Sequence, residues 1–228
     1  MPRQANWNYL INAIKKDDEK FKVLCEWFFG GDPTIEKCAE YAYRDLQRNL
    51  RGIGKMNENE KEQYKAKVVV FIKDQIDKLL ELKLSKAGDQ LKHFDAWHKE
   101  TCSGICDISD SINKHLENKF SYGLAQKWLN MTLKNMLVAE TAEWYKELDK
   151  IRKPLHVPVD NYIRDAAHDM LGIRGTTKGR FERNISWDKW NEDIYKRFQE
   201  AVREAIECRG DYNCPIDWEF DAWLFASK

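Results

Sequence analysis

The chain of 228 residues carries 38 basic and 38 acidic side chains, so its formal net charge is zero. Charged residues make up 33% and hydrophobic residues 43% of the sequence, which excludes a disordered tail. No apolar run approaches the roughly 20 residues of a membrane-spanning helix, and the first residues lack the apolar centre of a secretory signal. We therefore expect a cytoplasmic globular protein, without the broadly basic surface of a typical nucleic-acid-binding protein.

Hydrophobic residues recur at steps of three and four along almost the whole chain, which predicts an all-α fold. In chain order, helices are predicted at about 7–28 (from Trp7 to Phe28), 35–46, 59–84, 91–99 and 109–119, then from about 124, over 160–172 and over 187–206. Thr34 or Asp32 is suited to cap the second helix. We expect residues 1–228 to form one compact domain, with two helical lobes and a cleft between them.

Six cysteines are present, and in a cytoplasmic chain free buried thiols are expected rather than disulfides. His98, Cys102 and Cys106 recur every four residues, a spacing that could place zinc ligands on one face of a helix. However, Ser103-Gly104 is expected to interrupt that helix, and no second ligand pair has a standard spacing. The sequence therefore predicts no metal and no cofactor.

The most informative segment begins with a tight turn, Gly123-Leu124-Ala125, that opens a helix. Such a turn is expected to expose unpaired backbone N–H groups, which together with the helix dipole suit a phosphate oxygen. From Lys119 to Met136 the chain has three lysines and no acid, so a locally basic site is expected in a chain that is neutral as a whole.

This segment resembles the helix-hairpin-helix DNA glycosylase superfamily. Gly123 to Lys127 follow the frame of the hairpin that ends on the catalytic lysine, with Ala125 in place of the second glycine. Residues 157–163, Val-Pro-Val-Asp-Asn-Tyr-Ile, are similar to the segment that carries the catalytic aspartate in 8-oxoguanine DNA glycosylase/lyases. The separation of 33 residues from Lys127 to Asp160 is most similar to that of the archaeal-type branch. The hairpin covers about 111–138, and the whole resemblance about a fifth of the chain.

The resemblance implies a DNA glycosylase, with or without lyase activity, that acts as a monomer on DNA with a damaged or modified base. Lys127 would attack the anomeric carbon of the sugar and expel the base, and partial burial would have to favour its neutral amine. Asp160 would accept a proton or stabilise the cationic sugar. A base inside a duplex would first have to be flipped into a pocket.

Each of these residues also has a structural interpretation, and the sequence leaves both open. Lys127 is suited to be a solvated lysine at a helix start, and Asp160 to be a helix N-cap. His156 would line the base pocket or fill a structural position. Trp218 and Trp223 would sandwich the flipped base or pack in the core.

The connection from Ile173 to Asn184 contains Arg174, Lys178, Arg180 and Arg183 with one acid, Glu182. These cations would contact phosphates or belong to a solvated loop. Three functions besides the glycosylase therefore remain open: a non-catalytic helix-hairpin-helix module that binds nucleic acid, a glycosidase acting on free modified nucleosides, and a helical adaptor protein.

Overall fold

A computed structural model describes residues 31–81, 87–139, 142–175 and 179–226. The described residues form eight α-helices and no strand, which confirms the all-α prediction. In chain order the helices are α1 (Ile35–Gln47), α2 (Glu58–Glu81), α3 (Ala87–Ser109), α4 (Tyr122–Val138), α5 (Tyr145–Lys150), α6 (Asn161–Leu171), α7 (Glu192–Arg209) and α8 (Pro215–Ala226). The helical region predicted from Trp7 to Phe28 lies outside the described residues. None of the described helices is long and apolar enough to cross a membrane.

Helix α4 is the centre of the fold, and residues 123–130 along it are all buried. It packs against α1 and α3, and also against α5 and α7, whereas α6, α7 and α8 pack on one another. The Trp128 indole N–H donates to Ala39 O at 2.9 Å, and the Asn135 amide donates to Cys38 O at 3.0 Å. These two bonds fix α1 along α4, so α4 joins an N-terminal group of helices to a C-terminal one.

Two predictions for the chain that precedes α4 are wrong. Helix α3 does not stop at Ser103-Gly104 but continues to Ser109. Gly104 has a packing role there, because a side chain at this position would collide with the ring of Phe71 on α2. The helix predicted over 109–119 is only a 3₁₀ turn, Asp110–Ile112, followed by irregular turns. The helix before α4 is therefore α3, and the connection between them runs from 110 to 121.

Helix starts follow the capping side chains that the sequence offers. Thr34 Oγ1 accepts from the Lys37 N–H at 3.1 Å at the start of α1, which confirms one of the two predicted caps. Asp160 caps α6 in the same way, and Gly172 ends that helix in a left-handed conformation with φ of 71°. The predicted limits of α6, 160–172, are thereby confirmed, and this helix start carries one half of the candidate site.

Candidate active site

The fold brings Lys127 and Asp160 into direct contact, although 33 residues separate them along the chain. Lys127 Nζ donates to Asp160 Oδ2 at 2.7 Å. Both residues are buried, with exposed fractions of 6% and 8%. Lys127 lies in the second turn of α4 and Asp160 directly precedes α6, so the pair links two helix starts. This geometry excludes the interpretation of Lys127 as an ordinary solvated lysine.

Asp160 uses its two carboxylate oxygens for two purposes. Oδ1 accepts from the Ile163 N–H at 3.0 Å and caps α6, while Oδ2 accepts from Lys127. Burial raises the pKa of Asp160, but the neighbouring Lys127 ammonium and the Ile163 N–H outweigh burial, so the pKa lies below its ordinary value. The capping role and the contact with the lysine therefore coexist, and the carboxyl is ionised at neutral pH.

A second buried ion pair lies seven residues, or about two turns, further along the same face of α4. Lys134 Nζ is 2.8 Å from Glu219 Oε1 and 2.7 Å from Oε2, and Glu219 is only 1% exposed. Burial raises the pKa of Glu219, opposed first by Lys134 and then by Lys127. The two pairs therefore interact electrostatically. We call Lys127, Asp160, Lys134 and Glu219 the charged cluster.

Aromatic side chains of α8 border the charged cluster. The Lys134 ammonium lies 5.0 Å from the ring centroid of Phe220 and 5.8 Å from that of Trp223, distances at which a cation is attracted to the face of a ring. Trp218 is completely buried, as core packing requires. Trp223 is only partly buried. Of the two predicted base-stacking residues, Trp223 is thus the one near the charged cluster with an accessible side chain, and its role remains a prediction.

The backbone N–H groups of Gly123, Leu124 and Ala125 are all occupied within the chain, so the expectation that they are free to bind a phosphate is wrong. Gly123 donates to Trp190 O at 2.9 Å, and the other two donate to the N-cap residue Ser121 at 3.2 and 3.1 Å. All three residues are buried. A side chain at Gly123 would collide with the backbone carbonyl of Trp187, so this glycine permits close packing.

The expected local charge of +3 around the hairpin is also not realised. Lys127 and Lys134 are paired with Asp160 and Glu219, two carboxylates contributed by distant parts of the chain. Of the three lysines in this segment, only Lys119 is exposed. A run without acids in the sequence is therefore not a basic surface in the fold.

The described arginines of the basic connection before α7 are exposed. Arg174, Arg180 and Arg183 all lie at the surface, and Arg180 Nη1 forms an ion pair with Asp165 Oδ2 at 3.0 Å. Lys178 lies outside the described residues. The phosphate contacts predicted for these cations remain predictions.

His156 does not lie in the charged cluster but in a separate hydrogen-bonded group that contacts α4 at Asn130. Tyr195 Oη lies 2.7 Å from His156 Nδ1 and accepts from Asn130 Nδ2 at 2.8 Å. His98 Nε2 lies 2.9 Å from Asn130 Oδ1. Burial lowers the pKa of His156 to about 4 and that of His98 well below its ordinary value, so both rings are uncharged at neutral pH. We call His98, Asn130, His156 and Tyr195 the neutral network.

The ion pair between Arg203 and Asp95 lies at the edge of the neutral network and fixes the direction of its hydrogen bonds. Arg203 donates to both oxygens of Asp95 at 3.0 and 2.7 Å, and Asp95 Oδ1 lies 2.9 Å from His156 Nε2. Because a carboxylate only accepts, His156 donates from Nε2 and accepts at Nδ1 from the Tyr195 hydroxyl. Tyr195 then accepts from Asn130. His156, Tyr195 and Asn130 thus form a series of hydrogen bonds with a defined direction, which satisfies these polar groups in the low-dielectric interior.

Gln126 holds the segment before Asp160 in place, a role that was not predicted from the sequence. Its Nε2 donates to Val159 O at 3.1 Å and its Oε1 accepts from the Val159 N–H at 3.1 Å. The extended segment that leads to Asp160 is therefore bound to α4 next to Lys127. The available signal was the pair of amides Gln126 and Asn130, four residues apart in a helix that is otherwise largely apolar. That pattern indicates that the two amides form polar contacts, but it does not identify the segment that they contact.

His98 and Cys102 lie side by side on α3, with Cys102 Sγ 3.7 Å from His98 Nδ1. Within the described ranges, no group of three or more His, Cys, Asp or Glu side chains is arranged to hold a metal ion. The five cysteines that fall in these ranges form no disulfide.

A comparison with known proteins found no matching family model, no matching curated protein and no matching solved structure.

Proposed function

We propose that this protein is a DNA glycosylase with lyase activity, in which Lys127 is the nucleophile and Asp160 its acidic partner. The observation that carries the proposal is the buried contact of 2.7 Å between Lys127 Nζ and Asp160 Oδ2. These are the two residues to which the resemblance to helix-hairpin-helix glycosylases gives catalytic roles. Their convergence from separate helices supports a shared role in chemistry.

The proposed reaction begins when Lys127 passes a proton to Asp160 and its neutral Nζ attacks C1′ of the damaged nucleotide. The bond between Nζ and C1′ forms as the bond from C1′ to the base breaks; the base leaves with the bonding electron pair and takes up that proton from Asp160, which is then again a carboxylate. The bond from C1′ to the ring oxygen breaks next, the ring oxygen takes up the second proton that Nζ loses, and a protonated Schiff base remains between Nζ and C1′. Asp160 would stabilise the positive charge that develops on the sugar, since its carboxylate already lies beside the nucleophile.

A glycosidase that acts on free modified nucleosides is the second candidate. It is favoured by the shortage of phosphate contacts at the hairpin, where the N–H groups of residues 123–125 are occupied and two of three lysines are paired. Such an enzyme would use the same Lys127 and Asp160 but would not need a DNA backbone.

Borohydride trapping tests the proposal. The protein is incubated with duplexes that each contain one modified base, and borohydride reduces any Schiff base to a stable adduct. We expect an adduct with wild type and none with Lys127→Ala, while Lys119→Ala, which removes the exposed lysine of the same segment, keeps it. Thermal unfolding of each variant separates loss of chemistry from loss of the fold.

Asp160→Asn separates the two roles of that carboxyl. Asparagine is as good an N-cap as aspartate, so α6 retains its capping bond while the charge is lost. We expect base release to slow by about 10²-fold, the effect of removing one electrostatic contact to a transition state. The proposal is overturned if folded wild-type protein releases no base from any duplex in a broad lesion panel and gives no adduct. Turnover of nucleosides without turnover of duplexes would instead establish the second candidate.

A further inference from the structure

A cavity of about 240 Å³ lies between α3, the first turn of α4, the segment at His156 and α7. At about 30 Å³ per molecule, its volume corresponds to about eight molecules of liquid water, so it can hold a small organic ligand. Neither Lys127 nor Asp160 lines it. The cavity is therefore separate from the proposed catalytic pair.

Four rings form the wall of this cavity on its buried side: Tyr122, His98, His156 and Tyr195. The rings of His98 and Tyr195 are stacked, with centroids 5.3 Å apart and an angle of 9° between their planes. The polar atoms of the neutral network are largely occupied by one another. This wall consequently offers ring faces and edges rather than free hydrogen-bonding groups, which suits a planar ring.

The rim of the cavity has a different chemistry. It carries three cations and two carboxylates, namely Lys99, Lys196 and Arg203 with Asp95 and Glu192. Both carboxylates are already paired, Asp95 with Arg203 at 2.7 Å and Glu192 with Lys99 at 2.9 Å. The Lys196 ammonium is 3.7 Å from Glu200 Oε1, and its side chain is 65% exposed. The rim thus carries one more cation than carboxylates, and the largely exposed ammonium of Lys196 favours a ligand that bears a negative group.

We propose that this cavity is a second binding site, for a planar heterocycle that carries one anionic group, as a 5′-mononucleotide does. The ring lies against Tyr122 and the rings of the neutral network, and the phosphate contacts Lys196 and Lys99. The same chemistry is found in a free mononucleotide and in the 5′-terminal nucleotide of a single DNA strand. The proposal does not rest on the proposed function, because the charged cluster takes no part in it.

Isothermal titration calorimetry with the full chain tests this site. The probes are adenosine 5′-monophosphate, adenosine, inorganic phosphate and 5′-phosphorylated hexadeoxyadenylate. We expect the monophosphate to bind at least about tenfold more tightly than adenosine or phosphate alone, since only it uses both parts of the cavity. Tighter binding of the hexadeoxyadenylate than of the monophosphate assigns the site to strand ends, and weaker binding assigns it to free nucleotides.

Lys196→Ala tests whether the rim binds the phosphate group. The substitution should leave the stability of the protein unchanged, because the side chain is largely exposed. We expect it to weaken binding of the monophosphate by about tenfold and to leave the affinity for adenosine unchanged. Lys189→Ala is the control, since Lys189 is exposed and does not line the cavity. Lys127→Ala should bind the monophosphate like wild type, whether or not the protein is a glycosylase. The proposal is overturned if neither nucleotide probe binds wild type, or if Lys196→Ala and wild type bind the monophosphate equally.

Discussion

Two groups of polar side chains that meet at α4 are buried in contrasting ways. In the charged cluster Lys127 and Lys134 are paired with carboxylates, whereas in the neutral network Asn130 contacts two uncharged histidines and a tyrosine. A buried charge that loses its partner costs more free energy than a neutral group that loses a hydrogen bond. Stability alone would favour neutral side chains in both groups, so the charges of the charged cluster call for a functional explanation, which the proposed chemistry of Lys127 supplies.

The largest effect is expected from breaking the second ion pair of the charged cluster. Glu219→Leu leaves the Lys134 ammonium partly buried without its carboxylate, and we expect the free energy of unfolding to fall by about 3–5 kcal/mol. Chemical denaturation, with the midpoint and the slope compared with wild type, measures the change.

The double variant Lys134→Met/Glu219→Leu provides the matched control. Because it replaces both charges with apolar groups of similar size, we expect most of the lost stability to return. A double variant that is less stable than either single variant would contradict the view that the charges of this pair are costly to bury.

The neutral network should make the protein sensitive to mild acid. Because burial lowers the pKa of His156 to about 4 from an ordinary value of 6.5, the unfolded chain binds a proton between these pH values and the folded chain does not. The free energy of unfolding therefore falls as the pH decreases from about 6.5 to 4, by up to about 3 kcal/mol from this residue. His98 acts in the same direction.

Unfolding measured across this pH range in wild type and in His156→Asn isolates the effect. Glu219, whose pKa burial raises, contributes with the opposite sign but does so equally in both proteins. Asp160, with its lowered pKa, loses its contribution only at lower pH, below about 4. Equal pH dependence in the two proteins would show that His156 is not held uncharged by burial.

A smaller effect is expected from Tyr195→Phe, which removes the hydroxyl that bridges His156 and Asn130. The ring still fills its place, so the loss is that of hydrogen bonds to buried neutral groups, about 1–3 kcal/mol. Denaturation under the same conditions as for Glu219→Leu allows direct comparison. A loss as large as that of Glu219→Leu would remove the energetic distinction between the charged cluster and the neutral network.

The part of the site that the sequence predicts well is the part encoded locally. Asp160 caps the start of α6, and Gly172 ends the helix in a left-handed conformation. Each of these signals depends on one residue of a favourable type at one position, so it can be recognised in the sequence. The contact between Lys127 and Asp160 is foreseen only through the resemblance, because nothing in the spacing of two residues 33 apart says that they meet.

Three features that were not predicted depend on partners distant in the chain. Helix α3 continues through Gly104, where the sequence suggested a break, and the ring of Phe71 packs so closely there that no side chain would fit. The acid-free run around Lys127 is neutralised by carboxylates that the local count cannot include. The neutral network draws on residues from α3, α4, α7 and the segment before α6, so only the folded chain brings them together.

The most direct test of the account is to locate the covalent adduct. Wild-type protein, trapped with borohydride on duplexes with a modified base, is digested and the modified peptide is identified by mass spectrometry. We expect one adduct, on Lys127, that is absent from Lys127→Ala and present in Lys119→Ala. An adduct on another lysine, or base release by folded Lys127→Ala at the wild-type rate, would contradict it.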